Sequence, residues 1–324
     1  VKDFPFILDI LAKILLEPTF PIDEYEKYKA YAIAGIRHKK NYTEYLAEMQ
    51  FSRMVFPKDH LLYGYNINTQ IEQLESLSIE DIKDYYYNYF SPHITIMSVA
   101  GNIDTCQAFS LIERYFGKWE RKEIPEPVLK QVRLQRKLKE KVIKIKDKTE
   151  ASVIFGHYFP ISRTSKDYHK AVVMNFILGG SGALSSRIGL RIREDMGLVY
   201  SISSGFSCFS IPGAWSARFG VDCNYADLAL KTLIEEINKF VDKGITSEEL
   251  DLAKSYLIGS YPLRFNNNNG IAKALLINQY YGLGDNYFDE YPEIIGAITK
   301  EDINKTAQKY LHPDRASIVK AGDF

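Results

Sequence analysis

Six histidines and three cysteines are the side chains best able to hold a metal or act as nucleophiles, so their spacing comes first. A hydrolytic zinc site on one helix needs two histidines and a glutamate within a single turn. Both imidazoles then face the ion and the carboxylate reaches its water. His38, His60, His93, His157, His169 and His312 do not provide this. None has Glu at +3 with His at +4, and none has Glu at +1 with His at +4. His60 reads as a structural loop residue. Cys106, Cys208 and Cys223 are odd in number and contain no C-x-x-C pair. That argues against a disulfide scaffold and excludes a cysteine zinc site, and the thiols are expected to be small buried hydrophobes.

Two further stretches invite chemistry and fail on context. Leu178-Gly-Gly-Ser-Gly182 follows a helical pattern instead of a strand and has no G-K-[ST], so it predicts a turn and not a phosphate loop. Lys130 to Lys141 is strongly basic without interleaved aromatics, which predicts a solvated linker or edge strand. Over the whole chain 41 basic residues balance 41 acidic ones, leaving no global case for nucleic acid or an anionic membrane as partner. No apolar run approaches the ~18 residues of a membrane span. The chain opens at Val1, which suggests a processed or trimmed product.

The elements that must position any site form a repeat. Ser78-Ile-Glu-Asp-Ile82, Tyr89, Pro92 and Ala100-Gly101 match Thr299-Lys-Glu-Asp-Ile303, Tyr310, Pro313 and Ala321-Gly322 at a constant offset of 221 (Asp81 against Asp302). Each copy predicts a capping box, a helix, a Pro and a short strand, at Ile94–Val99 and Ala316–Lys320. A looser match sets Glu24-Tyr25, Lys29, Tyr31 and Ile33 225 residues before Glu249-Leu250, Lys254, Tyr256 and Ile258. Apolar stripes precede both: Ile7, Leu8, Leu11, Ile14 and Leu15, then Leu230, Leu233, Ile234, Ile237 and Val241. About 85 residues at the front of the second copy have no counterpart in the first. On this reading the first copy lacks its front half, unless that half lies on another chain.

That unmatched stretch predicts strands at Lys141–Ile145, Ala151–Phe159, Leu198–Phe206 and Ala214–Asp222. It also predicts helices over 168–178 and from Ser186 to a stop at Gly197. The fold class is therefore α+β: two-layer sandwich units with a mostly antiparallel sheet, one complete repeat and the C-terminal part of another. Residues 1–124 make the partial repeat, 125–140 a linker opened by Pro125-Glu-Pro127, and 141–324 the complete repeat.

Leu178-Gly-Gly180, Ser186-Arg187, Arg193-Glu194 and Gly197-Leu-Val-Tyr200 resemble the inverted zincins. These are the insulinase and pitrilysin-type zinc metallopeptidases, which include the mitochondrial processing peptidases. Leu16-Glu-Pro-Thr-Phe-Pro21, Asp59-His-Leu-Leu-Tyr-Gly64, Gly101-Asn102 and Gly322-Asp323 extend the likeness along the chain. The resemblance implies similar units facing across a chamber, one holding zinc on an H-x-x-E-H helix with a distant Glu. The other contributes an Arg and a Tyr seven residues apart, a spacing that Arg193 and Tyr200 meet. Both are donors able to stabilise a carbonyl oxygen that gains charge, or to hold a peptide backbone.

The chain departs from the family where the metal is concerned. Besides the missing histidine motif, the distant zinc-binding Glu falls near Gly35, and an acidic position seven residues earlier falls near Tyr28. The resemblance therefore implies a non-catalytic, processing-peptidase-like bacterial member that binds no cofactor, with zinc in a partner. The implied partners are peptides or unfolded segments, and an H-x-x-E-H-bearing homologous subunit or a homodimer mate. The expected setting is soluble, in a bacterial cytoplasm or periplasm. The other reading is a pseudoenzyme serving assembly, as in core subunits of the respiratory cytochrome complex.

Overall fold

The computed structural model describes residues 2–126, 128–180 and 186–324. In chain order it contains α1 (Phe4–Leu16), α2 (Ile22–His38), α3 (Thr43–Val55), α4 (Ile67–Ser76), α5 (Ile79–Tyr89), α6 (Thr105–Phe116), β1 (Lys139–Lys144) and β2 (Glu150–Phe159). There follow α7 (Tyr168–Asn175), β3 (Val199–Cys208), β4 (Pro212–Asp222), α8 (Ala226–Lys243), α9 (Ser247–Ser260), α10 (Asn268–Tyr281), α11 (Tyr287–Ala297), α12 (Lys300–Tyr310) and β5 (Ser317–Gly322). The chain divides into two compact units, each assembled from three segments. The first comprises Val1–Gly35, Ile71–Val128 and Tyr261–Asp285; the second comprises Ile36–Gln70, Leu129–Ser260 and Asn286–Phe324. Val1, Pro127, and Ser181 and Gly182 of the glycine cluster lie outside the described residues.

The first unit is helical. α1 packs on α6 through Leu8 and Ala12, and the Tyr86 hydroxyl donates to Leu15 O at 2.6 Å. Of the predicted α1 stripe only Leu8 is buried; Ile7 and Ile14 are exposed. The apolar stripe is wider than the Leu8–Ala12 side that this unit covers, so its margins stay exposed. The strand predicted at Ile94–Val99 does not form: Pro92–Ile94 is a 3₁₀ turn, and residues 95–100 join no ladder among the described residues. A strand is a pairing, and this segment has α10 beside it, with Ser98 Oγ donating to Ala272 O at 2.8 Å, but no described strand to pair with.

In the second unit the five strands run in the order β1-β5-β2-β4-β3, with β1–β5 parallel and every other pairing antiparallel. Successive side chains alternate between the two faces of a strand. Val153, Phe155, Trp215, Ala217, Phe219 and Ile318 point to one face, where α8 covers the sheet through Leu233, Ile237 and Phe240. The opposite face carries Ile154, Ala214, Val319 and Ala321, and α3 lies on it through Ala47, Phe51 and Val55. The α+β sandwich with a mostly antiparallel sheet is thus present, and α3 gives this sheet a second helical cover.

The repeat survives as matched capping geometry. Ser78 Oγ accepts from Asp81 N at 3.1 Å, and Asp81 Oδ2 accepts from Ser78 N at 2.8 Å. Thr299 and Asp302 repeat the pattern at 3.1 and 3.0 Å. Thr246 and Glu249 form a third box of the same kind, at 2.7 and 3.1 Å.

Candidate functional site

Arg193 and Tyr200 come together at one corner of the second unit. Arg193 sits in a widened helical turn, Gly189–Asp195, whose inner side is fixed by the fully buried Ile188 and Ile192. Gly197 ends the segment at φ +61°, a left-handed conformation that suits a residue without Cβ. Its N–H returns to Arg193 O at 3.0 Å, and that of Leu198 to Ile192 O at 3.1 Å. The chain then enters β3, an outer strand of the sheet.

A register shift between Val199 and Ile202 leaves Tyr200 and Ser201 without the regular opposition of the ladder. Such a bulge re-aims a side chain. Val199 and Ile202 are buried at its two ends, while Tyr200 is 88% exposed. The guanidinium carbon of Arg193 lies 5.9 Å from the centre of the Tyr200 ring, and its Nε is 3.5 Å from Glu194 Oε1. A cation over a tyrosine face at this distance is weakly attracted to it. Two donors therefore share one exposed corner beside a strand edge that is open among the described residues.

A half-buried arginine and a buried asparagine hold this corner. Arg187 Nη2 donates to Glu249 Oε2 and to Gly244 O, each at 2.7 Å, while its guanidinium carbon lies 4.9 Å from the Phe240 ring centre. Burial pushes the Glu249 carboxyl up; the bonds from Arg187 and Thr246 outweigh it, so the carboxyl titrates below its usual range. Arg187 thereby ties the start of the Arg193 segment to the α8–α9 turn. At the end of α7, Asn175 Oδ1 accepts from Trp215 Nε1 and Ser204 Oγ, both at 2.9 Å, and Nδ2 donates to Ser204 O at 3.1 Å. This buried amide joins α7 to β3 and β4. The sequence reading missed it, although a polar residue inside the apolar run Val172-Val-Met-Asn-Phe176 was a usable signal.

The remaining candidates do not join the corner. His60 is buried, its ring stacked on Phe56 at 4.9 Å and its Nδ1 accepting from Leu62 N at 3.1 Å. Burial lowers its pKa, so it serves as a neutral loop anchor. Cys106 is exposed, and Cys208 and Cys223 are half-buried free thiols, which corrects the expectation that all three are interior. Gly35 lies on the exposed side of α2, with nothing within 4 Å of where a Cβ would stand, and offers no ligand atom. Among the described residues no three His, Cys, Asp or Glu side chains gather to hold a metal ion. The side chains present therefore do not fit the family's zinc. No described helix is long and apolar enough to cross a membrane.

The family model of the peptidase M16 inactive domain matches residues 76–257, more than half of the chain and including the Arg193–Tyr200 corner. The chain belongs to the peptidase M16 inactive domain family. The resemblance to insulinase-type metallopeptidases read from the sequence is thereby established, for a non-catalytic member. An uncharacterized zinc protease, YmxG, of Bacillus subtilis is 26% identical over 315 residues, covering 96% of this chain and 74% of that protein. The non-peptidase homolog YmxG of Helicobacter pylori is 28% identical over 300 residues, covering 91% of this chain and 66% of that protein. The crystal structure of a peptidase M16 inactive domain from Pseudomonas fluorescens superposes with a TM-score of 0.84 at 21% identity, over 98% of this chain and 74% of that one. That likeness concerns the fold.

Proposed function

We propose that this chain is a non-catalytic subunit, or a fragment of one, that binds peptide and forms part of a proteolytic chamber whose zinc is held by a partner. The observation that supports this reading is the pairing of Arg193 and Tyr200 at the mouth of an open strand edge, with Tyr200 88% exposed. Attack of water on a peptide carbonyl builds negative charge on its oxygen. A guanidinium and a phenolic O–H aimed at that oxygen stabilise it, and the free edge of β3 offers backbone groups to an extended substrate. The partner would be an H-x-x-E-H-bearing homologue or a second copy acting with one.

The test is hydrolysis of a quenched fluorescent peptide by this chain mixed with an H-x-x-E-H homologue. Arg193→Ala and Tyr200→Phe should each lower kcat by about a hundredfold, the usual loss for one oxyanion donor. Unchanged turnover in both variants removes the proposed role. An assembly role without hydrolysis is the second reading, favoured by the Helicobacter pylori relative being named a non-peptidase homolog. Stable association with the homologue without peptide hydrolysis would select it.

A further inference from the structure

A second open edge, on the other side of the same sheet, has a chemistry of its own. Among the described residues β1 pairs with β5 alone, and the N–H groups of Lys139 and Ile145 donate to Ala316 O and Gly322 O at 2.9 and 2.8 Å. In a parallel ladder the donors to one neighbour recur every second residue. Lys141 and Ile143 therefore also turn their amides toward β5, and Glu140, Val142 and Lys144 turn theirs outward.

This edge is strongly cationic. Residues 130–148 contain nine Lys or Arg against two acids, Glu140 and Asp147. Glu140 is bound to Lys320 at 2.7 Å, and of the nine cations Lys130 pairs with Asp59 at 2.9 Å. Glu140 shares a face with Lys320, so Lys139, Lys141 and Ile143 point to the opposite, α3-covered face. A cavity of about 390 Å³ opens there beside Ile143. Lys40, Arg53, Gln50, Asn66 and Asn68 supply its polar wall, and no carboxylate of the described residues lines it. Arg53 is held in place, its Nε donating to Gly64 O at 3.0 Å. Gly64 in turn abuts α3 so closely that a Cβ would lie 2.2 Å from Met49 O.

We propose that this edge and cavity form a binding site for an acidic polypeptide segment in extended conformation. Outward amides of β1 accept it as an added strand, Lys139 and Lys141 face its carboxylates, and the Lys40–Arg53 cavity takes an acidic side chain or a C-terminal carboxylate. Lysines on an edge strand ordinarily deter strand addition. Here they select for it, because a cationic or neutral strand is repelled or unrewarded while an acidic one is drawn in. The site lies across the sheet from Tyr200, at the opposite end of the strand order.

The experiment is a fluorescence-anisotropy titration of the full chain with a short labelled peptide alternating Glu and Val and ending in a free carboxylate. Val142→Pro removes an outward amide and leaves the β5 ladder intact. It should weaken binding by about tenfold or more, as should Arg53→Ala and Lys40→Ala, while a Lys/Val peptide should not bind. Absence of binding overturns the proposal. So does binding that Val142→Pro leaves unchanged and heparin displaces fully, since that is polyanion attraction without strand addition. If Val142→Pro fails to fold, hydrogen exchange of the unaltered chain decides. The peptide must slow the amides of Glu140, Val142 and Lys144, and no slowing refutes the site.

Discussion

Acidification from about pH 7.5 to pH 5 should cost the second unit about 4 kcal/mol of stability, with two histidines as the cause. His157 lies in β2 with its Nδ1 bonded to Tyr158 O at 2.9 Å and its Nε2 accepting from His312 N at 3.1 Å. A ring that donates at one nitrogen and accepts at the other is neutral, and burial holds its pKa down at about 4. His169 bonds Tyr287 through Nε2 at 3.0 Å, and burial, followed by the nearby Arg163, also holds it at about 4. A pKa depressed on folding gives stability that is complete above the unfolded value near 6.5. That stability is lost as the pH falls toward the folded value. The slope is about 1.4 kcal/mol per pH unit for each histidine, and at pH 5 each has lost about 2 kcal/mol. Urea unfolding across this range reads it directly. A Trp119→Phe background leaves Trp215, in the second unit, as reporter. The double variant His157→Gln, His169→Gln should lose most of the slope. Equal stability of the unaltered chain at both pH values would refute the reasoning.

Asn175→Leu strands Trp215 Nε1 and Ser204 Oγ without their buried acceptor and should destabilise by about 3 kcal/mol in the same urea assay. Thr299→Ala removes one acceptor of a capping box and should cost about 1 kcal/mol, read by Trp215 fluorescence. Gly35→Glu occupies open space on an exposed helix and should raise stability by about 0.5 kcal/mol, while elemental analysis finds no stoichiometric zinc.

All five strands were legible, four as alternating apolar runs and β5 as the short apolar run Ala316–Lys320 that closes the repeat, because a half-buried strand writes its two faces into its period. The capping boxes were legible because Ser or Thr three residues before Asp is a local device that needs no tertiary partner. Ile94–Val99 carried a strand's pattern and is not a strand, since pairing depends on what lies beside it. The α1 stripe failed likewise: its period showed a helix and not how much of it this unit would cover. The Arg193–Tyr200 meeting depended on a left-handed Gly197 and a bulge at Tyr200. Gly197 was visible as a helix stop, whereas a bulge leaves no mark in hydrophobic period. Asn175 was hidden differently, as one polar letter whose partners lie on strands far along the chain.

The chain passes between its two compact units at five points, after Gly35, Gln70, Val128, Ser260 and Asp285. Neither unit is a contiguous piece of polypeptide, so no single cut liberates one from the other. A nick in the basic tract around residue 136 would leave each half holding segments of both units, like two threads of one weave. Such a nicked chain should migrate as one particle under native conditions and separate only when denatured. It also means that evolution cannot duplicate or discard one unit by a simple terminal deletion. A truncation long enough to remove one body takes part of the other with it.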